Sequence, residues 1–166
     1  MILEYKVREG SKAPRRANPS DAGLDVFYCP PDPSVAIMKI EPGENKTLPT
    51  GLTFGIPHGY MLQVCNRSSM GATRALIVGA HIIDSGYDGE VFIDLHNIGN
   101  ETQFIERGAK IAQLILIPVI HFRARHVAHD LYREPITISN RGAGSLGSTD
   151  INPSPTHPSN DQASGF

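Results

Sequence analysis

Apolar residues along this chain come in short runs, several alternating with polar ones, and glycine or proline cuts the runs at close intervals. The opening Met1-Ile-Leu-Glu-Tyr-Lys-Val-Arg8 alternates like a strand. Val35–Ile40, Leu52–Ile56, Tyr60–Cys65, Glu90–Leu95 and Ile111–Ile117 read as strands as well. Pro42-Gly43, Pro57-His58-Gly59, Asp88-Gly89 and Arg107-Gly108 punctuate them as turns. Asp88-Gly89, flanked by apolar residues, predicts a hairpin. No window sustains a 3.6-residue apolar repeat, and at most one short turn of helix follows Ser68-Ser69. Many short strands with regular turns predict an all-β fold, a barrel or a jelly roll.

One run departs from simple alternation. Ile111 to Ile117 is too continuously apolar for a strand with one face in water, which predicts burial on both faces and so a subunit interface as well as a core. Residues 1–134 read as the compact domain, 135–150 as an arm, and 151–166, rich in Pro, Ser and Asn, as a disordered tail.

At 166 residues the chain is long enough for one domain with a proper core. A net charge of −2 with 19% charged residues argues against nucleic acid or a membrane surface as partner. The strand-like start holds no signal-peptide core, and no apolar run approaches membrane-spanning length. The two cysteines, Cys29 and Cys65, lack metal-like spacing, so reduced thiols in a cytoplasmic protein are expected.

Candidate chemistry gathers in particular segments. Arg141-Gly-Ala-Gly-Ser-Leu-Gly-Ser-Thr149 has the glycine spacing of a phosphate loop, but the proline-rich residues after it can build no βαβ unit. It reads instead as an arm closing over a phosphate held elsewhere, with backbone N–H groups and the Arg141 fork as donors. A solvated Gly/Ser linker is the plain alternative. In Ser20-Asp-Ala-Gly-Leu-Asp-Val-Phe27, two aspartates around a turn suit a hydrated divalent cation, or simply an Asx turn entering a strand. Asn66-Arg-Ser-Ser-Met70 offers a guanidinium and two hydroxyls to an anion, or a capping serine to a helix. In Gly79-Ala-His-Ile-Ile-Asp-Ser-Gly-Tyr-Asp-Gly-Glu90, Asp84 at a hairpin edge can order and deprotonate a water, and Tyr87 offers a flat face to a sugar or base. The alternative is a turn capped by Asp84, with Tyr87 covering apolar surface. In Arg107-Gly-Ala-Lys-Ile-Ala-Gln-Leu-Ile115, Gln113 is a polar residue inside an apolar strand and must find hydrogen bonds, to structure or to a ligand phosphate.

Taken together and in this order, these segments resemble the motifs of the trimeric dUTPase family: Ala-Gly-x-Asp, Arg-Ser-Ser, Gly-x-x-Ile-Asp-x-x-Tyr-x-Gly, Arg-Gly-x-x-Ile-Ala-Gln and a terminal Arg-Gly-x-Gly-x-x-Gly-Ser. The resemblance runs from about Asp21 to Asp150. It implies a distorted β jelly roll forming a homotrimer with shared active sites, each closed by a C-terminal arm from another subunit. It also implies hydrolysis of dUTP to dUMP and pyrophosphate, with Mg2+ on the triphosphate. Such a reaction limits uracil incorporation into DNA and supplies dUMP for dTMP synthesis.

Carried over by resemblance, Asp84 would activate the attacking water. Arg67, Ser68, Ser69 and Gln113 would bind the phosphate chain, and Arg141, Gly147 and Ser148 would clamp it. Asp25 would meet the metal through water. Ala80, His81, Ile82 and Ile83 would read uracil, chiefly through their main chain, and Tyr87 would pack under the deoxyribose and exclude a 2′-hydroxyl. The chain departs from the family pattern at several places. His81 stands where similar proteins usually carry glycine, and it narrows the pocket, contacts the base or points outward. Gly86 removes a side chain before Tyr87. Leu146 replaces the phenylalanine that stacks on uracil, which implies a weaker lid.

Two other readings compete. A dCTP deaminase of the same fold carries a catalytic glutamate where this chain has Asp94, one methylene shorter. A dUTP-binding regulatory protein would use the same scaffold without turnover. The stretch His121–His129 and the tail are where a protein partner of unknown identity would dock. An exposed strand and a disordered end are the plainer accounts, and His121, His126 and His129 lack the spacing of a zinc site.

Overall fold

The computed structural model describes residues 1–126. Its compact unit, Met1–Phe122, is built from short strands and a single short helix. In chain order the elements are β1 (Glu4–Val7), β2 (Leu24–Phe27), β3 (Ile37–Ile40), β4 (Asn45–Pro49), β5 (Leu52–Gly55) and β6 (Tyr60–Cys65). There follow α1 (Ser68–Arg74), β7 (Leu76–Val78), β8 (Ile82–Asp84), β9 (Phe92–Asn97), β10 (Gln103–Glu106) and β11 (Lys110–Pro118). The predicted all-β jelly roll is therefore what forms. The arm and tail read from residues 135–166 lie outside the described residues, as does the end of the 1–134 domain assignment.

The strands pair antiparallel into small sheets, in the orders β2-β11-β6-β8, β4-β9-β7, β1-β5 and β10-β3. Alternation decides which faces meet. On β9, Ile93, Leu95 and Asn97 are buried while Phe92, Asp94 and His96 face outward; on β6, Leu62 and Val64 point into the same core. The buried Asn97 donates to the carbonyls of Ile40 (3.0 Å) and Glu101 (2.8 Å) and accepts from the Gly99 N–H (3.0 Å). Buried amides survive in a core only when paired in this way.

The apolar run on β11 is explained in part by a register shift between Lys110 and Ala112, which lets the neighbours Ile111 and Ala112 both face inward. Leu114 is buried as well, but Ile115 and Ile117 remain half-exposed, so within one chain the strand is not covered on both faces. The hairpin expected at Asp88-Gly89 does not form. β8 pairs with β6 and β9 pairs with β4 and β7, so the chain crosses there between two sheets. The crossing is tied down locally. The Tyr87 N–H donates to the Asp84 carbonyl (3.1 Å), and Glu90 accepts from Arg8 Nη1 (2.7 Å) and from the Gly51 N–H (2.7 Å). The last two bonds tie Glu90 to the residues that flank β1 and β5.

Candidate active site

Three distant segments meet where β11 runs between β2 and β6. Gln113 lies opposite Asp25 on one side and opposite Cys65 on the other, and Arg67 follows Cys65 by two residues. Asp25 is only 13% exposed and is paired twice: Arg67 Nε donates to Oδ1 at 2.9 Å, and Lys110 Nζ lies 2.6 Å from Oδ2. Arg67 Nη1 donates to Ser69 Oγ at 3.3 Å, and its other guanidinium N–H groups have no partner among the described residues. The Gln113 amide donates to the Asn66 carbonyl at 2.9 Å, and its oxygen packs against Gly23 so tightly that a Cβ there would collide with it.

α1 begins with Arg67 in the N-cap position and with no side-chain cap, so Ser68 and Ser69 are not spent on capping. This is a corner suited to an anion: an oriented guanidinium, an ammonium, two hydroxyls and a glutamine N–H. Lys110 and Gly23 were missed by the sequence reading. In sequence Lys110 is only a polar residue before an apolar run, and the register of β2 against β11 sets it beside Asp25. Gly23 lay inside a motif read for its aspartates.

A second site lies at the other end of β6. A cleft of about 230 Å3 is lined by Ile82, Ile83, Asp84, Tyr87, Val91 and Phe92. Ile82 and Asp84 share the outer face of β8, Ile83 packs inward on the core, and Ala80 is exposed just before the strand. The Asp84 carboxylate makes no hydrogen bond or ion pair among the described residues. Tyr87 is held by its hydroxyl, which donates to the Glu90 carbonyl at 2.7 Å. Its ring lies across Gly89, where a Cβ would stand 2.6 Å from the tyrosine oxygen. A Cβ at Gly86 would meet no neighbouring atom among the described residues, so the missing side chain there costs no contact. A larger open groove of about 570 Å3 along β1 and β5 holds none of the predicted site residues.

The backbone of β8 carries a pattern of its own. Val64 N–H donates to the His81 carbonyl at 2.8 Å, and the register continues through Gln63–Ile82 and Leu62–Ile83. Antiparallel pairs alternate between bonded and unbonded. The Ile82 N–H and C=O therefore point away from β6, along the open edge of the sheet. The His81 ring turns back, with Nδ1 3.0 Å from the Val64 carbonyl, and takes no part in lining the cleft.

The two sites do not meet within one chain. Asp84 is opposite Met61 and Gln113 is opposite Cys65, four residues or about 13 Å further along β6 and on its other side. Arg141, Leu146, Gly147 and Ser148 lie outside the described residues. Asp94 stands apart from the cleft. It accepts from Asn45 Nδ2 (3.0 Å) and pairs with His96 Nε2 (2.9 Å) on the outer face of β9, which removes the carboxylate that a deaminase reading needs.

The chain is thus an antiparallel jelly roll with a basic corner suited to an anion and a separate aspartate–tyrosine cleft. Comparison with known proteins gives the family. The dUTPase family model matches residues 9–149. The deoxyuridine 5'-triphosphate nucleotidohydrolase of Chlamydia muridarum is 34% identical, covering 87% of this chain and 94% of that protein; the one from Desulfotalea psychrophila is 35% identical, covering 90% and 94%. Among solved structures, a variant dUTPase of Staphylococcus bacteriophage 80alpha with dUpNHpp superposes with a TM-score of 0.75 at 25% identity, over 89% of this chain and 98% of that one. A variant dUTPase of phage phi11 of S. aureus, whose structure reveals the coordination of a structural Mg(II) ion, has a TM-score of 0.67 at 24% identity, over 76% and 97%. This chain belongs to the dUTPase family.

Proposed function

We propose that this chain hydrolyses dUTP to dUMP and pyrophosphate, with Asp84 holding the water that attacks the α-phosphorus. The observation that carries the assignment of roles is the Asp84 carboxylate, unpartnered among the described residues, in a cleft beside Tyr87 and on the same strand face as Ile82. Asp84 takes a proton from the water as its oxygen bonds to phosphorus. The bond from the α-phosphorus to the bridging oxygen breaks, and pyrophosphate leaves. Phosphoryl chemistry of this kind needs in-line positioning and charge neutralisation more than covalent help.

The base is read by the open edge of β8. The outward Ile82 N–H matches a uracil carbonyl and its C=O matches the uracil N3–H. Cytosine presents a donor and an acceptor in the opposite places and leaves both protein groups unpaired. The fixed ring of Tyr87 packs under deoxyribose, where a 2′-hydroxyl would collide. The walls around Ala80 to Ile83 refuse the thymine methyl.

The phosphate chain takes the Arg67, Ser68 and Ser69 corner, with the second N–H of Gln113 near the α-phosphate. A single nucleotide cannot have its α-phosphorus at Asp84 and its phosphates at Arg67 of the same chain. That separation supports active sites shared between copies in a homotrimer, as do the half-exposed Ile115 and Ile117 on β11. Arg141, Gly147 and Ser148 then clamp the terminal phosphates, and Leu146 covers the base.

Mg2+ arrives on the triphosphate as part of the substrate. Both Asp25 oxygens already face cations, but each keeps a lone pair that can accept from a metal-bound water, which fits contact through the hydration shell. No cluster of metal-ligating side chains is found among the described residues. Among them, too, no helix is long and apolar enough to cross a membrane. The free thiols of Cys29 and Cys65 support a reducing, cytoplasmic setting.

The test is pyrophosphate release with Mg2+ from dUTP, UTP, dTTP and dCTP by wild type and Asp84→Asn. Release from dUTP alone, lost in the variant, is the expected result. Uracil nucleotide formed from dCTP, or tight dUTP binding without turnover, would defeat the assignment.

A further inference from the structure

The strand β8, to which the base reading is assigned, is only three residues long and among the described residues has a neighbour on one side alone. Strands held in this way fray at their ends unless something closes the last rung. The rung that begins β8 is half made by the backbone. Val64 N–H donates to the His81 carbonyl at 2.8 Å, but among the backbone bonds of the described residues the reciprocal one, from the His81 N–H to the Val64 carbonyl, is missing. The His81 ring supplies it, with Nδ1 3.0 Å from that carbonyl. Val64 is 3% exposed, so its carbonyl needs a donor from the protein. A carbonyl only accepts, so the bond assigns the proton to Nδ1.

We propose that His81 is a positioning residue for base selection: its ring closes the β6–β8 ladder and so holds the outward N–H and C=O of Ile82 where they accept uracil and refuse cytosine. The proposal deepens the uracil reading assigned to Ile82 and rests on it. His81 itself is exposed and does not line the cleft, so it acts through the backbone and touches no reacting atom. The neighbouring pair Leu62–Ile83 is the next bonded rung, and it too depends on the strand start being held.

Alanine removes the donor, whereas asparagine places its Nδ2 where the imidazole has Nδ1. His81→Ala should raise KM for dUTP about tenfold with kcat nearly unchanged, and should lower the preference for dUTP over dCTP by a similar factor. His81→Asn should restore most of both. Heteronuclear NMR of the unliganded wild type should show the Nδ1–H tautomer at His81, and amide exchange at Ile83 should be faster in His81→Ala. An Nε2–H tautomer, or an asparagine variant no better than alanine, would overturn the proposal. Normal turnover with KM and base preference unmoved in His81→Ala would overturn it alone, leaving the uracil reading intact. No dUTP turnover by the wild type would remove that reading, and the proposal with it.

Discussion

The Lys110 ammonium lies 2.6 Å from Asp25 Oδ2, on the side of the carboxylate that Arg67 leaves open. Asp25 thereby fixes two cations that come from separate segments, Lys110 at the start of β11 and Arg67 just after β6. Removing the carboxylate frees both of them and leaves two positive charges side by side. Asp25→Asn should therefore raise KM for dUTP by about tenfold or more, and Lys110→Met by less, since Arg67 keeps its anchor. Steady-state kinetics on both variants and on the double variant checks this. Additive effects would mean that the two cations do not act through Asp25.

Tyr87 is fixed by its hydroxyl bond to the Glu90 carbonyl. Tyr87→Phe keeps the ring but lets it swing, so discrimination of dUTP against UTP should fall about threefold to tenfold while dUTP turnover persists. The ratio of kcat/KM for the two nucleotides measures it. An unchanged ratio would show that the ring is held by packing alone.

Gly23 has no room for a side chain, because Gln113 lies against it. Gly23→Ala should push the Gln113 amide off the Asn66 carbonyl, lowering stability by about 1–3 kcal/mol and kcat/KM together. Gly86→Ala, which meets open space, is the matched control and should change neither. Urea unfolding and kinetics on the pair separate the two cases.

Asn97 satisfies three main-chain groups in the core. Asn97→Leu keeps the branched shape but is larger and strands those groups, so it should cost about 2–4 kcal/mol without altering the selectivity of molecules that remain folded. Chemical denaturation gives the first quantity, and the dUTP to dCTP ratio gives the second.

Burial pushes the Cys65 thiol above the ordinary cysteine range. Its charged form is the one disfavoured, so less thiolate is present in the folded chain than in the unfolded chain at any given pH. Alkylation at mildly alkaline pH should thus be slower in native than in urea-unfolded protein. The stability contributed by the raised value should be full below the unfolded pKa and fade as pH rises through the folded one. Equal alkylation rates in the two states would contradict this.

The candidate site residues are legible in the sequence because their chemistry is local. Asp84-Ser-Gly-Tyr87, Asn66-Arg-Ser-Ser69 and the Gln113 strand each stand out as polar groups placed against apolar runs. The strand at Tyr60–Cys65 was read to the residue, since alternation and flanking turns mark both ends. β4, β7 and β10 escaped notice. They are short, and Asn45–Pro49 and Gln103–Glu106 are half polar, so their strand character comes from partners far along the chain.

By itself the sequence determined the all-β class, the order of the chemical segments and the family they resemble, because alternation and turn chemistry are properties of neighbouring residues. Tertiary structure alone decided that β8 pairs with β6 rather than β9, that Lys110 meets Asp25, and that the His81 ring completes a backbone rung. It also decided that Asp84 stands far from the Arg67 corner of its own chain. These are matters of register between distant strands, set by which faces bury together, and no local pattern specifies them.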